Sequence, residues 1–196
     1  MKTSLVTSTF LLLAGFAQAS SFQFDLEGKG GSGLLSGNEN GAISGSPGIG
    51  GEINAGISYD DVSNLLTINV GWGSANGFVD LTGNATAGHI HGPTTSGGTG
   101  SFTQNASVKY PLDSLGGWNA NATSGGFSGT VTILEADEVA LLAGRFYINV
   151  HTSANAGGEI RGNLVAVPEP AETGALVGGL AGLFALARRL RTRQAA

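Results

Sequence analysis

The residues able to do chemistry in this chain concentrate in two short stretches, Gly88-His89-Ile90-His91-Gly92-Pro93 and Tyr147-Ile148-Asn149-Val150-His151-Thr152, which together hold all three histidines. Successive side chains of an extended strand alternate faces, so His89 and His91 stand on one side and Ile90 on the other. An H-x-H pair of this kind presents two imidazole nitrogens to one ion. A third histidine from a neighbouring strand completes a three-nitrogen set suited to zinc or copper, and His151 is the residue available for that position. The same alternation sends Phe146, Ile148 and Val150 to one face and Tyr147, Asn149 and His151 to the other. Further along, Ile160 and Leu164 go inward while Glu159, Arg161 and Asn163 go outward. If these strands are neighbours, Tyr147, Asn149, Glu159 and Arg161 are expected to form a polar cluster on the sheet surface. The competing structural reading has His89 and His91 hydrogen-bonding turn backbone and strand neighbours, with Glu159 and Arg161 in cross-strand polar pairing.

Other chemistries lack their residues. The absence of cysteine removes disulfide frameworks, thiolate-ligated zinc, haem attachment and thiol catalysis together. No H-E-x-x-H, G-x-S-x-G or G-x-x-x-x-G-K-[ST] pattern occurs. Gly28 to Gly33 fits G-x-G-x-x-G, but 34 of 196 residues are glycine and no helical pattern follows, so the match is chance. No catalytic or cofactor-binding residue emerges, and the chain is not expected to be an enzyme. Residues 20–168 hold Lys29, Lys109, Arg145 and Arg161 against twelve acids, a net of −8. A domain so acidic and without a basic stripe is a poor partner for nucleic acid or anionic membranes. Trp72, Phe102 and Trp118 are the aromatics available as sugar-stacking platforms, although isolated aromatics in glycine-rich β proteins more often fill the core.

The elements that must position these residues read as strands. Alternating or β-branched stretches recur at 22–27, 52–59, 64–72, 77–82, 86–91, 106–112, 127–134, 145–151 and 158–166, separated by Gly, Asn and Ser clusters. This spacing predicts an all-β fold: a single antiparallel β-sandwich or barrel-like domain with glycine-rich loops. Tyr59 to Asn64 is a polar turn joining two strands into a hairpin. Glu135 to Ala143 is the one helical candidate, with acids in its first turn and Gly144 after its last. Residues 28–50 are assigned only to loop.

Both ends carry targeting patterns. Lys2, the apolar run Leu5 to Phe16 and Ala17-Gln18-Ala19 make a secretory signal over residues 1–19, with cleavage expected after Ala19. The run is too short to span a membrane, which needs about 20 apolar residues. Residues 167–196 contain Val167-Pro168-Glu169-Pro170, an apolar stretch from Gly174 to Ala187 expected to form a short hydrophobic helix, and Arg188, Arg189, Arg191 and Arg193. Basic residues mark the cytoplasmic flank, which leaves the domain of residues 20–166 outside.

Two resemblances attach to these motifs. The V-P-E-P, apolar stretch and arginine cluster resemble a PEP-CTERM sorting signal, which implies processing at Pro168, Glu169 and Pro170 by an exosortase-type enzyme after signal peptidase has acted. It also implies a transient inner-membrane precursor and a product at the cell surface, outer membrane or extracellular matrix. The H-I-H-G-P and Y-I-N-V-H-T…G-G-E-I-R-G pieces, in that order, resemble the CHRD domain over roughly residues 22 to 166. That resemblance implies a β-rich extracellular binding or scaffold module, not an enzyme. The expected function is therefore an exported module that binds an extracellular protein or polysaccharide, the alternative being a secreted metal-binding protein using His89, His91 and His151.

Overall fold

The structure, a computed structural model, describes residues 20–36, 46–119 and 122–167. The signal segment with Ala19, the residues Pro168, Glu169 and Pro170, and the apolar helix and arginine cluster expected beyond them lie outside the described residues. Among the described residues no helix is long and apolar enough to cross a membrane.

Chain order gives β1 (Ser21–Gly28), β2 (Gly31–Ser32), β3 (Leu35–Ser36), β4 (Gly50–Asp60), β5 (Leu65–Trp72), β6 (Ala85–His91), β7 (Val108–Pro111), β8 (Gly125–Thr132), α1 (Glu135–Leu142), β9 (Tyr147–Thr152) and β10 (Ile160–Val167). The strands form one antiparallel sheet in the order β7-β6-β9-β10-β1-β4-β5-β8, with β2 on β1 and β3 on β10. It curls into a nearly closed barrel. The two edge strands, β7 and β8, are linked by the segment that follows β7. Leu112 N donates to Gly88 O at 2.8 Å, and Asn119 N to Gly126 O at 3.0 Å, so this segment spans the gap with backbone bonds.

Alternation decides what fills the barrel. Phe24, Leu26, Ile57, Leu66, Ile68, Val70, Trp72, Ile90, Phe127, Ile148, Val150, Ile160 and Leu164 are all almost wholly buried in one apolar core. A crevice between Ile90, Tyr110, Ile133, Leu141 and Phe146 is too narrow for a water molecule, so this part of the interior is close-packed. Trp72 belongs to that core and Trp118 packs against it at a ring distance of 5.1 Å. Trp72 is therefore no sugar platform.

The hairpin turn is as expected. Asp60 Oδ1 accepts from Ser63 N and Oγ, each at 2.7 Å, and Asn64 takes the left-handed conformation at φ 56° that asparagine tolerates. Helix α1 also forms where acids crowd its first turn, and it stops at Gly144, whose φ of 68° suits a residue without Cβ. Tyr110 clips the helix to the barrel, donating to Asp137 Oδ2 at 2.6 Å and accepting from Leu134 N at 2.9 Å. Burial, and then the Asp137 carboxylate, push the Tyr110 hydroxyl up to about 12.

Two expectations fail. Residues 77–82 are not a strand: Ile49 N donates to Val79 O and Leu81 N to Thr123 O, so the backbone bonds are single links to loops and no ladder forms. The alternation of Val79 and Leu81 has a simpler cause, since Leu81 plugs the core while Val79 is exposed. Residues 28–50 are more than loop. They contain β2 and β3, and Leu34 is fully buried, its backbone exchanging both hydrogen bonds with Gly50.

Candidate functional site

β6 and β9 pair directly, with His89 opposite Asn149, Ala87 opposite His151 and His91 opposite Tyr147. The parity read from the sequence holds, and His89, His91 and His151 share the outer face of the barrel. Ring centroids lie 4.8 Å (His89–His151), 5.5 Å (His89–His91) and 5.7 Å (His91–His151) apart. Each ring offers one nitrogen to a common centre, and these three atoms lie within 4.8 Å of one another. His89 Nδ1 and His151 Nε2 approach to 3.0 Å.

The far side of each ring is also engaged. His91 Nδ1 lies 2.9 Å from Ala106 O and His151 Nδ1 lies 2.8 Å from Ala156 O. A carbonyl only accepts, so both Nδ1 atoms carry hydrogen and both Nε2 atoms present lone pairs. His89 is turned the other way: its Nε2 faces Asp113 Oδ1 at 3.5 Å, an ion-pair distance, while Nδ1 points at its neighbours. The set is thus one Nδ1 and two Nε2, each oriented by an acceptor on the opposite edge. Metal-ligating histidines are held in just this way. Without an ion, the 3.0 Å His89–His151 contact needs a proton between the two nitrogens, so proton and metal compete for one place.

Asp113 was not found from the sequence. Its signal was faint: it stands two residues after Pro111, the register partner of His89. The carbonyls of Ala106 and Ala156 have no sequence signal at all.

The four residues expected as a surface cluster are not on the surface. Tyr147, Asn149 and Glu159 are fully buried and Arg161 nearly so. Arg161 and Asn149 are register partners, as expected of neighbouring strands, but the segment before β7 covers Arg161 and the β9–β10 connection borders Asn149. Arg161 donates from Nη1 to Gln104 O and from Nη2 to Ser101 O, each at 2.8 Å. Asn163 Nδ2 donates to Gly98 O at 3.0 Å, and Tyr147 OH accepts from Ala106 N at 3.1 Å. Beneath that cover the Arg161 guanidinium carbon sits 3.4 Å above the Tyr147 ring centroid, and Tyr147 stacks on His91 at 5.1 Å and 11°. A cation–π contact therefore backs one of the three imidazoles.

Glu159 leaves the cluster altogether. Its Oε1 accepts from Gly48 N at 2.8 Å and Thr82 N at 2.7 Å, and its Oε2 from Thr82 Oγ1 at 2.6 Å, Thr152 Oγ1 at 2.8 Å and Asn155 Nδ2 at 3.3 Å. Burial pushes its carboxyl up, but the bonds from Thr82, Gly48 and Thr152 outweigh burial and hold it below the usual glutamate range. Of the cross-strand polar pairing expected of these two residues, Glu159 has the Thr152 hydroxyl of β9, while Arg161 bonds to the carbonyls of Ser101 and Gln104. Each takes backbone partners in a different loop.

Three imidazole nitrogens with no thiolate, and with the Asp113 carboxylate across the His89 ring from them, suit zinc or copper and do not suit calcium or magnesium. The family model of the CHRD domain matches residues 32–164. No curated protein and no solved structure matches the chain.

Proposed function

This chain belongs to the CHRD domain family, and from that premise we propose that it is an exported, non-enzymatic β module whose outer wall holds one zinc or copper ion on His89, His91 and His151. One observation carries the reading: three imidazoles converge through one nitrogen each, while the opposite nitrogens of His91 and His151 meet the Ala106 and Ala156 carbonyls and that of His89 lies 3.5 Å from the Asp113 carboxylate. Histidines that merely tie down backbone need no common centre. Export rests on the secretory pattern of residues 1–19 and the sorting pattern of residues 167–196. These support delivery to the cell surface, outer membrane or extracellular matrix, where an extracellular protein or polysaccharide is the partner.

The test is a zinc titration of the purified protein near neutral pH, read by calorimetry and by thermal melting. One equivalent is expected to bind, and an ion held at 100 times its dissociation constant adds about 2.7 kcal/mol to the native state. Alanine at any of the three histidines should remove most of that gain. Asp113→Asn should weaken the ion by about 10- to 100-fold, because the residue orients a ligand without being one. Binding should also fade in acid, because an ion and a proton compete for the same imidazole lone pair. A wild-type melting curve that neither zinc nor copper moves refutes the site.

A further inference from the structure

Three protein nitrogens leave a four-coordinate ion one ligand short, and the surroundings determine what fills that place. Asp113 cannot, because it faces Nε2 of His89 while the ion would lie on Nδ1, across the ring. Tyr147 lies flat against His91 with its hydroxyl on Ala106 N, and Arg161 is a cation. One polar group remains at the edge of the cluster. The carboxamide of Asn149, a fully buried residue, has Nδ2 3.5 Å from His151 Nε2 and 3.4 Å from Gly157 O, and its Oδ1 has no hydrogen-bond partner among the described residues. An ion about 2.0–2.1 Å from Nε2 would sit beside this amide without being ligated by it. His91 is buried beneath the ion's place, whereas His89 and His151 are partly exposed at its rim.

We infer that the ion of the proposed site keeps a fourth, exchangeable position, reached from the rim between His89 and His151, which takes water or a small monoanion such as a carboxylate held by the Asn149 amide. The inference rests on the metal reading above. Charge favours it: three imidazole ligands bring no negative charge to the ion itself, Asp113 lies across the His89 ring from it, and the Arg161 guanidinium stands behind Tyr147. An anionic donor in the open position neutralises part of the ion's positive charge at close range. A carboxylate side chain or terminus of an extracellular partner belongs to this ligand class, which makes the ion a docking point for the module.

The experiment uses the cobalt(II)-loaded protein, whose visible bands report coordination, with azide as the probe anion. Saturable spectral change on azide addition is expected, and acetate should compete. Asn149→Ala should still bind cobalt, checked by calorimetry, but hold azide about tenfold more weakly, the usual scale for an outer-shell partner. If cobalt does not bind, the metal reading fails and this inference falls with it. If cobalt binds and azide leaves the spectrum unchanged, the position is closed and this inference alone is overturned. Azide affinity unchanged in Asn149→Ala removes the role of the amide. Should that variant not fold, Asn149→Ser replaces it, and the wild-type titration still decides whether the position is open.

Discussion

Replacing Glu159 by glutamine tests whether this buried carboxylate anchors the fold. The wild-type side chain accepts five hydrogen bonds from Gly48, Thr82, Thr152 and Asn155, joining the segment leading into β4, the segment before β6, the end of β9 and the β9–β10 connection. Glutamine has one acceptor oxygen and one NH2 group. If the NH2 takes the Oε1 place, two buried backbone N–H groups lose their partner, at about 1–3 kcal/mol each. If it takes the Oε2 place, the Thr82 and Thr152 hydroxyls can rotate to accept, and the loss is chiefly the charge-assisted part of the bonds. The second arrangement is cheaper, and we expect a loss of about 3 kcal/mol, or about 6–12 °C in Tm for a domain of this size. The assay is denaturant unfolding of both proteins across pH. Because hydrogen bonds hold the folded carboxyl below the ordinary 4.5, its contribution is complete above that value and disappears as pH falls through the lower folded value. The gap between wild type and variant should therefore be full at neutral pH and close in acid. A loss under about 1 kcal/mol at neutral pH, or a gap independent of pH, refutes the argument.

Two further outcomes follow from the same geometry. Ile148→Asp should abolish cooperative melting, since its side chain faces the apolar core, whereas Asn149→Ala should keep a cooperative transition because it removes only the long contacts to Gly157 O and His151; loss of cooperative melting in both variants would show that the strand phase carries no information. Intact-mass analysis of native material should show a chain lacking residues 1–19 and most of the segment after Pro168, and a mass retaining Arg188 to Ala196 would exclude the sorting reading.

What the sequence made legible was phase. The period-2 pattern of Phe146 to His151 placed Ile148 and Val150 in the core and His151 opposite them, and the H-x-H spacing put His89 and His91 beside it. Phase says which face a residue is on, but not whether water reaches that face. The outer face here is closed by residues 98–106, a mostly small and polar segment with no hydrophobic period, which acts through the carbonyls of Gly98, Ser101, Gln104 and Ala106. Main-chain acceptors belong to every residue type, so this cover leaves no mark in composition. Arg161 shows the consequence: its charge pointed to solvent, yet a guanidinium with two carbonyl partners and an aromatic ring beneath it is stable when buried. Glu159 fails for a related reason. It precedes β10, where alternation no longer fixes direction, and its partners lie 77 to 111 residues away for Thr82 and Gly48.

The two ends of the domain and the histidine face are also separated by the register. Gln23 pairs with Val167, Ser21 pairs with Asp60, and Ser20 N donates to Asp61 Oδ1, so both ends of the barrel chain lie at the pole of the Asp60–Leu65 turn. Arg161, at the level of Asn149 and His89, is six residues up β10 from Val167, about 20 Å at roughly 3.3 Å per residue. A chain held at that pole by residues 167–196 would turn the opposite part of its wall away from the point of attachment. On the proposed reading, attachment through that pole and docking at the histidines use different parts of the barrel.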